Sequence, residues 1–538
     1  MAKKFETLGV MMDLSRNAVT NVESVKRFLS VIRKMGYNTV FLYTEDTYQV
    51  DGAPYFGYMR GAYTKNELRE IDDFAYSIGI EAIPCIQTLA HLNAYKRWRA
   101  VPYDYDDILL TDDERTYNLI KQMFKTLKEC FRTKRIHVGM DEAHMLGRGQ
   151  HLDIHGYEPS STVIARHLDK ICEIAKDFDY EILIWSDMFI RCWNNGNYYY
   201  GVPGKHFPKE VKESLPENVI PVYWDYYHSD EQFFSDMIKL HKELSSDSWF
   251  AGGVWRWRGH LPLNQYSFDT MGPAIKACVK NRVKNIFMTL WGDDGGECSF
   301  FSLLPGLLFV AEYAKGNYDM EKIKAKFKRI VGVEFDDFML LDKPNRLDLD
   351  PTAPVNPSKY MLYSDYFNGF LDYTVVPGGN EKYAQYEAEL AAAAKRTRKY
   401  YDIFNTAAKL CSVLSVKYEL GVKTRAAYQN GDNEELLRLA NEDYAALEKS
   451  IPAFHKAYEK QWFAENKTNG FDVQDLRLGG LLQRTKSCRK RLLDYVSGKI
   501  DRIEELECEI LPYGKKNYPG EYNAYSLYSS CNVISHGF

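Results

Sequence analysis

No run in this chain of 538 residues approaches the ~20 consecutive apolar positions that a membrane-spanning helix needs. Met1 to Glu6 carries two lysines but no apolar stretch or cleavage site, so no secretory leader is expected. Ten cysteines lie singly, with no Cys-x-x-Cys pair and no tight framework. Together these absences lead to the expectation of a reducing, cytoplasmic setting. The net charge is only −5, which leaves no electrostatic footprint for nucleic acid or an anionic membrane. No Gly-x-Gly-x-x-Gly follows the first strand signal, and no His-Glu-x-x-His occurs, so neither a dinucleotide fingerprint nor a zinc-protease helix is encoded. Internal repeats and low-complexity segments are also missing.

What is present is aromatic: 40 Tyr, 28 Phe and 9 Trp, in a chain long enough for two or three domains. The first ~315 residues alternate strand and helix signals. Strands are expected at Thr7–Asp13, Asn38–Thr44, Ile80–Gln87, Arg135 onward, Glu181–Ser186, Ile220–Asp225, Phe250–Trp255 and Asn285–Trp291. Helices between them open on polar capping residues: Thr20-Asn21-Val22-Glu23, Thr64-Lys65-Asn66-Glu67, Thr111-Asp112-Asp113-Glu114 and Ser229-Asp230-Glu231-Gln232. Eight such strand–helix units predict a (β/α)8 TIM barrel over residues 1–318. A doubly wound open sheet would concentrate polar residues at one switch point, whereas here they crowd every strand end. Residues 319–538 change character and predict an all-α C-terminal domain, after a Pro/Asn/Asp/Gly-rich connection near 342–379. Its helices are expected over Ala391–Lys409, Asn433–Glu465 (kinked or divided at Pro452) and Val473–Val496. This region could dimerise, wall a substrate cleft, or only shield the barrel.

The stretch Arg135-Ile136-His137-Val138-Gly139-Met140-Asp141-Glu142 carries the chemistry. Ile136, Val138 and Met140 alternate with His137, Gly139 and Asp141, the period of two expected of a strand with two unlike faces. It ends in adjacent carboxylates. The C-terminal ends of the other strands, where such barrels place their active sites, bear Asp13 and Arg16, Glu45 and Asp46, Gln87 with His91, Trp185 and Asp187, Tyr223 with Trp224 and Asp225, Trp255 and Trp257, and Trp291 with Asp293. Five of the nine tryptophans stand at these ends. Indole faces suit the C–H face of a pyranose and carboxylates accept from its hydroxyls, so a carbohydrate ligand is expected. Any single ring here is more often packing than contact. Parity turns Trp185 and Asp187 inward on strand five, Tyr223 and Asp225 on strand six, and Trp291 and Asp293 on strand eight. An ionised acid on the polar face of a central strand is costly unless paired or used. Two neighbouring acids should have their pKa values pushed apart, with Asp141 ionised and Glu142 protonated near neutral pH.

These residues resemble a known family. His137-x-Gly139-Met140-Asp141-Glu142 is similar to the signature of glycoside hydrolase family 20, the β-N-acetylhexosaminidases. Asp13-Leu14-Ser15-Arg16 and Trp291-Gly292-Asp293 resemble its strand-one and strand-eight motifs, and Asp46 and His91 stand where the family has a supporting Asp and His. The likeness covers roughly residues 5–315, and the helical tail resembles that of a bacterial subgroup. It implies an exo-acting retaining glycosidase that removes terminal non-reducing β-linked N-acetylhexosamine (GlcNAc, GalNAc or both) through an oxazolinium intermediate. Glu142 would be the general acid/base and Asp141 would orient the acetamido group. Tyr223, or else Tyr226 or Tyr227, would hold the acetamido oxygen. Trp185, Trp255 and Trp291 would box the sugar, Arg16 and Asp293 would take its hydroxyls, and Asp225 and His91 would join the substrate pocket. His137 and Asp46 would support from beneath. Asp293 departs from the family's longer Glu. Linkage and aglycone choice are assigned to loops such as Asp51–Tyr63 and Trp193–Pro208.

No cofactor or metal is expected, the partner being an oligosaccharide or glycoconjugate, with a homodimer as one outcome for the helical region. Rival readings are a two-carboxylate glycosidase pairing Glu142 with Asp187 or Asp225, a non-catalytic sugar-binding barrel, and a metal-dependent hydrolase. The last rests on His137, His144, His151, Asp153 and His155, whose spacing fits no metal motif.

Overall fold

Thr7–Asp13 (β1) is buried along its whole length because it is flanked on both sides, by Thr39–Tyr43 (β2) and Asn285–Leu290 (β8). The computed structural model describes residues 5–194, 205–347 and 354–511. Residues 195–204, within the Trp193–Pro208 loop, lie outside these. Between β2 and β8 come Glu81–Cys85 (β3), Arg135–His137 (β4), Glu181–Trp185 (β5), Val219–Trp224 (β6) and Trp249–Gly253 (β7). All neighbours are parallel and β1 pairs with β8, so the sheet closes as the eight-stranded barrel read from the alternation.

The chain forms two compact units. The first holds the barrel: residues up to Val254, Ser267–Trp291 and Gly306–Lys326. The second holds Trp255–Tyr266, Gly292–Pro305 and the chain from Phe327 onward. The expected boundary at 318/319 thus falls inside Gly306–Lys326, and the segments that directly follow β7 and β8 group with the helical region.

The barrel interior is a stack of rings. Phe41 lies 4.4 Å from Phe287 and edge-on to Trp249 at 6.1 Å. His137 packs on Trp185 at 4.3 Å, and Trp185 lies 5.9 Å from Phe287. These residues come from β2, β4, β5, β7 and β8, which is why the inside is a filled core rather than a pore. Helices cover the outside with apolar faces, as in Val22–Met35, where Val25, Phe28, Leu29 and Ile32 are buried. Thr64 and Glu67 form the reciprocal capping box expected of them. At the other three starts the capping side chain is Asn21, Asp113 and Asp230, inside the tetrapeptides rather than at their first residues.

Three expectations are corrected. β4 is a regular strand only to His137. Gly139, Met140 and Glu142 take left-handed φ of 72°, 70° and 52°, so the period of two breaks before the acids. The connection at 342–379 contains the helix Pro357–Tyr363, all seven residues of which are buried. Helices run over Gly379–Arg396 and Tyr401–Lys417 rather than Ala391–Lys409, and Ala445–Glu465 continues undivided through Pro452.

Phe287→Ala would leave a void shared by Phe41, Trp185 and Trp249. The expected cost is about 3–5 kcal/mol, read as a lower urea midpoint at unchanged slope. A loss under about 1 kcal/mol would show that these rings do not form one packed layer.

Candidate active site

A line of hydrogen bonds leads from the end of β1 to the paired acids. Asp13 accepts from the Ser15 hydroxyl (2.7 Å) and from Arg16 Nε (2.9 Å). Arg16 Nη1 lies 3.2 Å from Glu45 Oε1, to which the Tyr43 hydroxyl also donates (3.1 Å). Gln87 Nε2 donates to the Tyr43 oxygen (3.0 Å) and to Asp141 Oδ1 (2.8 Å), while Gln87 Oε1 accepts from the Met140 amide (3.2 Å). That amide clamp requires glycine at 139. A Cβ there would sit 2.2 Å from Gln87 Oε1, on a backbone already at positive φ.

The other oxygen of Asp141 faces His91, whose Nε2 is 3.2 Å from Oδ2 and 3.8 Å from Glu142 Oε2. His91 is itself at φ 61°, with its amide donating to Asp107 Oδ2 (3.0 Å). Burial disfavours the charged imidazole, but the Asp141 carboxylate outweighs it and lifts His91 to about 10. Burial likewise works against ionising Asp141, and the His91 charge with the Gln87 hydrogen bond holds its carboxyl below the usual range. At neutral pH the two form an imidazolium–carboxylate pair.

Glu142 differs from its neighbour. Its side chain is 40% exposed against 13% for Asp141. Its amide donates to Asp187 Oδ2 (3.0 Å), and Trp224 Nε1 donates to the other Asp187 oxygen (3.3 Å). Burial, reinforced by the charge of Asp141, pushes Asp187 up to about 7. Asp187 therefore serves the turn that presents Glu142. Glu45 is also pushed up to about 7 by burial, against the opposing charges of Arg16 and His91.

Aromatic side chains at and just beyond the ends of β5, β6 and β8 stand beside these acids. Trp291 lies edge-on to Tyr43 at 4.7 Å and 6.2 Å from Trp185. Tyr226 is stacked on Trp224 at 5.2 Å, and its hydroxyl hydrogen-bonds with the Trp291 indole and the Thr289 hydroxyl. The expected inward Tyr223 turns the other way. Its ring stacks at 4.5 Å on His241 of the helix Glu231–His241, and its hydroxyl donates to Asp225 (2.8 Å). Asp225 also accepts from the Tyr227 amide (3.0 Å) and pairs with His228 (2.8 Å), so it closes the turn after β6. Parity on β6 is thus the reverse of the expectation. Trp249 fills the barrel opposite Val222, which places Tyr223 and Phe250 on the helix side.

Asp46, to which the resemblance gives a supporting role, pairs with Arg60 (3.2 Å), which also reaches the Ser15 carbonyl. His137 lies beneath the acids: its Nδ1 accepts from the Gly139 amide (3.1 Å), and burial pushes it down to about 3, so it is neutral. His151 bonds Glu158 (2.9 Å) and Thr111 (3.3 Å), away from His137 in its bonding. Among the described residues no group of three or more His, Cys, Asp or Glu is placed to hold a metal ion. Trp255 and Asp293 belong to the second unit, where Trp255 stacks on Trp257 at 4.1 Å.

Comparison with known proteins is decisive at this point. Residues 5–195 match the glycosyl hydrolase family 20 catalytic domain, and residues 336–524 match the glycoside hydrolase 20C C-terminal domain. The chain belongs to glycoside hydrolase family 20. Hexosaminidase D of Bos taurus is 25% identical over 282 residues, covering 48% of this chain and 73% of that protein. Hexosaminidase D of Homo sapiens is 23% identical over 362 residues, covering 61% and 70%. Among solved structures, the family 20 exo-β-N-acetylglucosaminidase of Vibrio harveyi in complex with N-acetylglucosamine is 14% identical with a TM-score of 0.45, over 63% of this chain and 58% of that one. The β-N-acetylhexosaminidase of Bacteroides fragilis is 15% identical with a TM-score of 0.44, over 62% and 75%.

In this family 20 chain the structure brings together Asp13, Arg16, His91, Asp141, Glu142, Trp185 and Trp291 within the barrel unit. The sequence pattern marks Gln87 only as a residue at the mouth and does not mark Asp107. The inward parity of Gln87 with Cys85 could have flagged the first; nothing local marks the second.

The His91–Asp141 pair has a pH signature. His91 is raised above its ordinary 6.5, so its contribution to stability is complete below that value and lost as pH rises toward about 10. Asp141 is lowered from its ordinary 3.8, so its contribution is complete above that value and lost on further acidification. The urea stability difference between wild type and His91→Gln should be greatest near pH ~5.5 and shrink by pH ~9.5. Equal differences at both would refute the ion pair.

Proposed function

We propose that the enzyme is an exo-acting, retaining β-N-acetylhexosaminidase that uses the substrate's own 2-acetamido oxygen as nucleophile. The observation that carries this reading is the inequality of the two adjacent acids. Asp141 is buried and held negative by His91, and Glu142 is half-exposed beside it. A fixed carboxylate accepts the acetamido N–H and balances the positive charge of the oxazolinium as it forms. Glu142 gives a proton to the glycosidic oxygen, the C1–O bond breaks, and the acetamido oxygen closes on C1. Glu142, now a carboxylate, takes a proton from water as that water opens the ring intermediate, and two inversions give retention.

Tyr226 takes the place assigned first to Tyr223, its hydroxyl directed toward the acetamido oxygen from beside Trp291. Trp185 and Trp291 box the sugar and Arg16 holds its hydroxyls, while Trp255 and Asp293, of the second unit, keep the sugar-binding roles that the resemblance implies. The two-carboxylate alternative is disfavoured, because Asp187 bonds the Glu142 peptide itself and Asp225 is committed to Tyr223 and His228. The substrate is a carbohydrate. No helix among the described residues is long and apolar enough to cross a membrane. The nine described cysteines are all free, which suits the cytoplasmic setting proposed from the sequence.

The test compares an aryl β-N-acetylglucosaminide with the matching β-glucoside. Wild type should turn over only the first, and equal turnover of both would refute substrate assistance. Glu142→Gln should lower kcat about 10²–10⁴-fold on a substrate with a poor leaving group. Asp141→Asn should lower it about 10²–10³-fold, and Tyr226→Phe roughly ten-fold. Full activity of Glu142→Gln on the poor leaving group would show the acid to be another residue.

A further inference from the structure

The segment that follows β8 carries a carboxylate buried among charges. The Glu297 side chain is 1% exposed. Its Oε1 accepts from Gln474 Nε2 (2.9 Å) and Arg477 Nη1 (2.8 Å), and its Oε2 lies 2.7 Å from Lys359 Nζ, which is itself fully buried. His260 of the segment after β7 stands 3.8 Å from Oε2; burial pushes it down to about 4, so it is neutral. The Glu297 carbonyl accepts from the Tyr458 hydroxyl (3.4 Å). The partners come from three helices of the second unit, Pro357–Tyr363, Ala445–Glu465 and Phe471–Val496.

The grip extends to the backbone of both segments. Arg256 Nη2 donates to the Gly296 carbonyl (2.9 Å), with its guanidinium 3.9 Å above the Phe300 ring. Asn356 Nδ2 donates to the Arg258 carbonyl (2.6 Å) and Asn345 Nδ2 to that of Leu261 (3.3 Å). Between Asp293 and Glu297 the chain folds back tightly. The Gly296 amide donates to the Gly292 carbonyl (2.6 Å), and a Cβ on Gly292 would meet Gly296 Cα at 2.9 Å. A displacement at Glu297 is therefore transmitted to Asp293 through a closed turn.

Buried ion pairs of this kind are poor value for stability alone, because desolvation offsets most of the attraction; well-packed apolar residues hold a core at least as well. What they supply is a defined position. We propose that Glu297 is a positioning residue for the sugar pocket. Held by Lys359, Arg477 and Gln474, it fixes the pose of the Asp293 turn and, through Arg256, of the segment bearing Trp255 and Trp257. The helices Pro357–Tyr363, Ala445–Glu465 and Phe471–Val496 then act as the mount for these two segments, which belong to the same unit. This rests on the assignment of Trp255 and Asp293 to the sugar made above.

The experiment uses full-length Glu297→Gln, which keeps the shape and loses the charge, with Lys359→Met and Arg477→Lys as milder variants should it not fold. Two readouts are taken: amide hydrogen exchange over residues 255–266 and 292–305, and kcat and KM on an aryl β-N-acetylglucosaminide. The expected result is faster exchange in both segments with β1–β5 unchanged, a KM raised about ten-fold, unaltered limbs of the pH–rate profile, and partial recovery in Glu297→Asp. Unchanged exchange would refute the clamp. Faster exchange with unchanged KM would refute the positioning role. An inactive wild type would overturn the hexosaminidase reading, and with it the link to substrate, while exchange still decides the clamp.

Discussion

An ion pair 3.2 Å across, between His91 and Asp141, is what the site depends on. A carboxylate inside a barrel lined with Trp, Phe and Tyr is expensive to ionise, and burial pushes both partners toward neutrality. The charge of each is the largest influence opposing that push on the other. Gln87 completes the arrangement by donating to the oxygen of Asp141 that His91 does not face. The chain of bonds back through Tyr43, Glu45 and Arg16 to Asp13 ties the first three strands to the fourth, so the negative charge has one position and one orientation. A fixed anion is what a developing cation in the substrate needs, since no reorganisation has to accompany its formation.

The backbone contributes as much as the side chains. Met140, Glu142 and His91 all adopt left-handed φ, each a conformation that costs roughly 1–3 kcal/mol in a residue with a side chain. Each is held there by a named bond: Met140 by Gln87, Glu142 by Asp187, His91 by Asp107. The strain has a purpose visible in the geometry. Successive residues of a strand point to opposite faces, so two adjacent acids could not both reach His91 from a regular strand. Ending β4 at His137 and turning the chain at Gly139 brings both carboxylates within 4 Å of the same imidazole.

The helices of the second unit do more than pack on one another. Its Asn345, Asn356, Lys359, Tyr458, Gln474 and Arg477 side chains bond to segments that follow β7 and β8 in the chain. The connection read as irregular supplies three of these six, Asn345, Asn356 and Lys359. Within its described residues, Pro344 and Pro357 stand in the first turns of two short helices, and Asn345 and the whole of Pro357–Tyr363 are buried.

Much was legible in the sequence. Strand–helix alternation, with polar residues at every strand end rather than at one switch point, specified a closed parallel barrel. The strand ends carried the acids, and the motif around Asp141 and Glu142 pointed to the family. Parity served well where the apolar face was unambiguous, as at Trp185 and His137, and failed at β6. There Val222 and Tyr223 are both apolar enough for either face, and only the position of Trp249 across the ladder decides between them. Asp46 and Asp107 show the same limit: Asp46 bonds Arg60 and Asp107 bonds the His91 amide, and which partner a loop acid takes depends on where its loop folds. Residue order determined the elements, the barrel and the pair of acids, since these follow from local pattern. Tertiary structure alone decided what holds Asp141 charged, which tyrosine faces inward and what grips the loops, because each is set by partners far away in the chain.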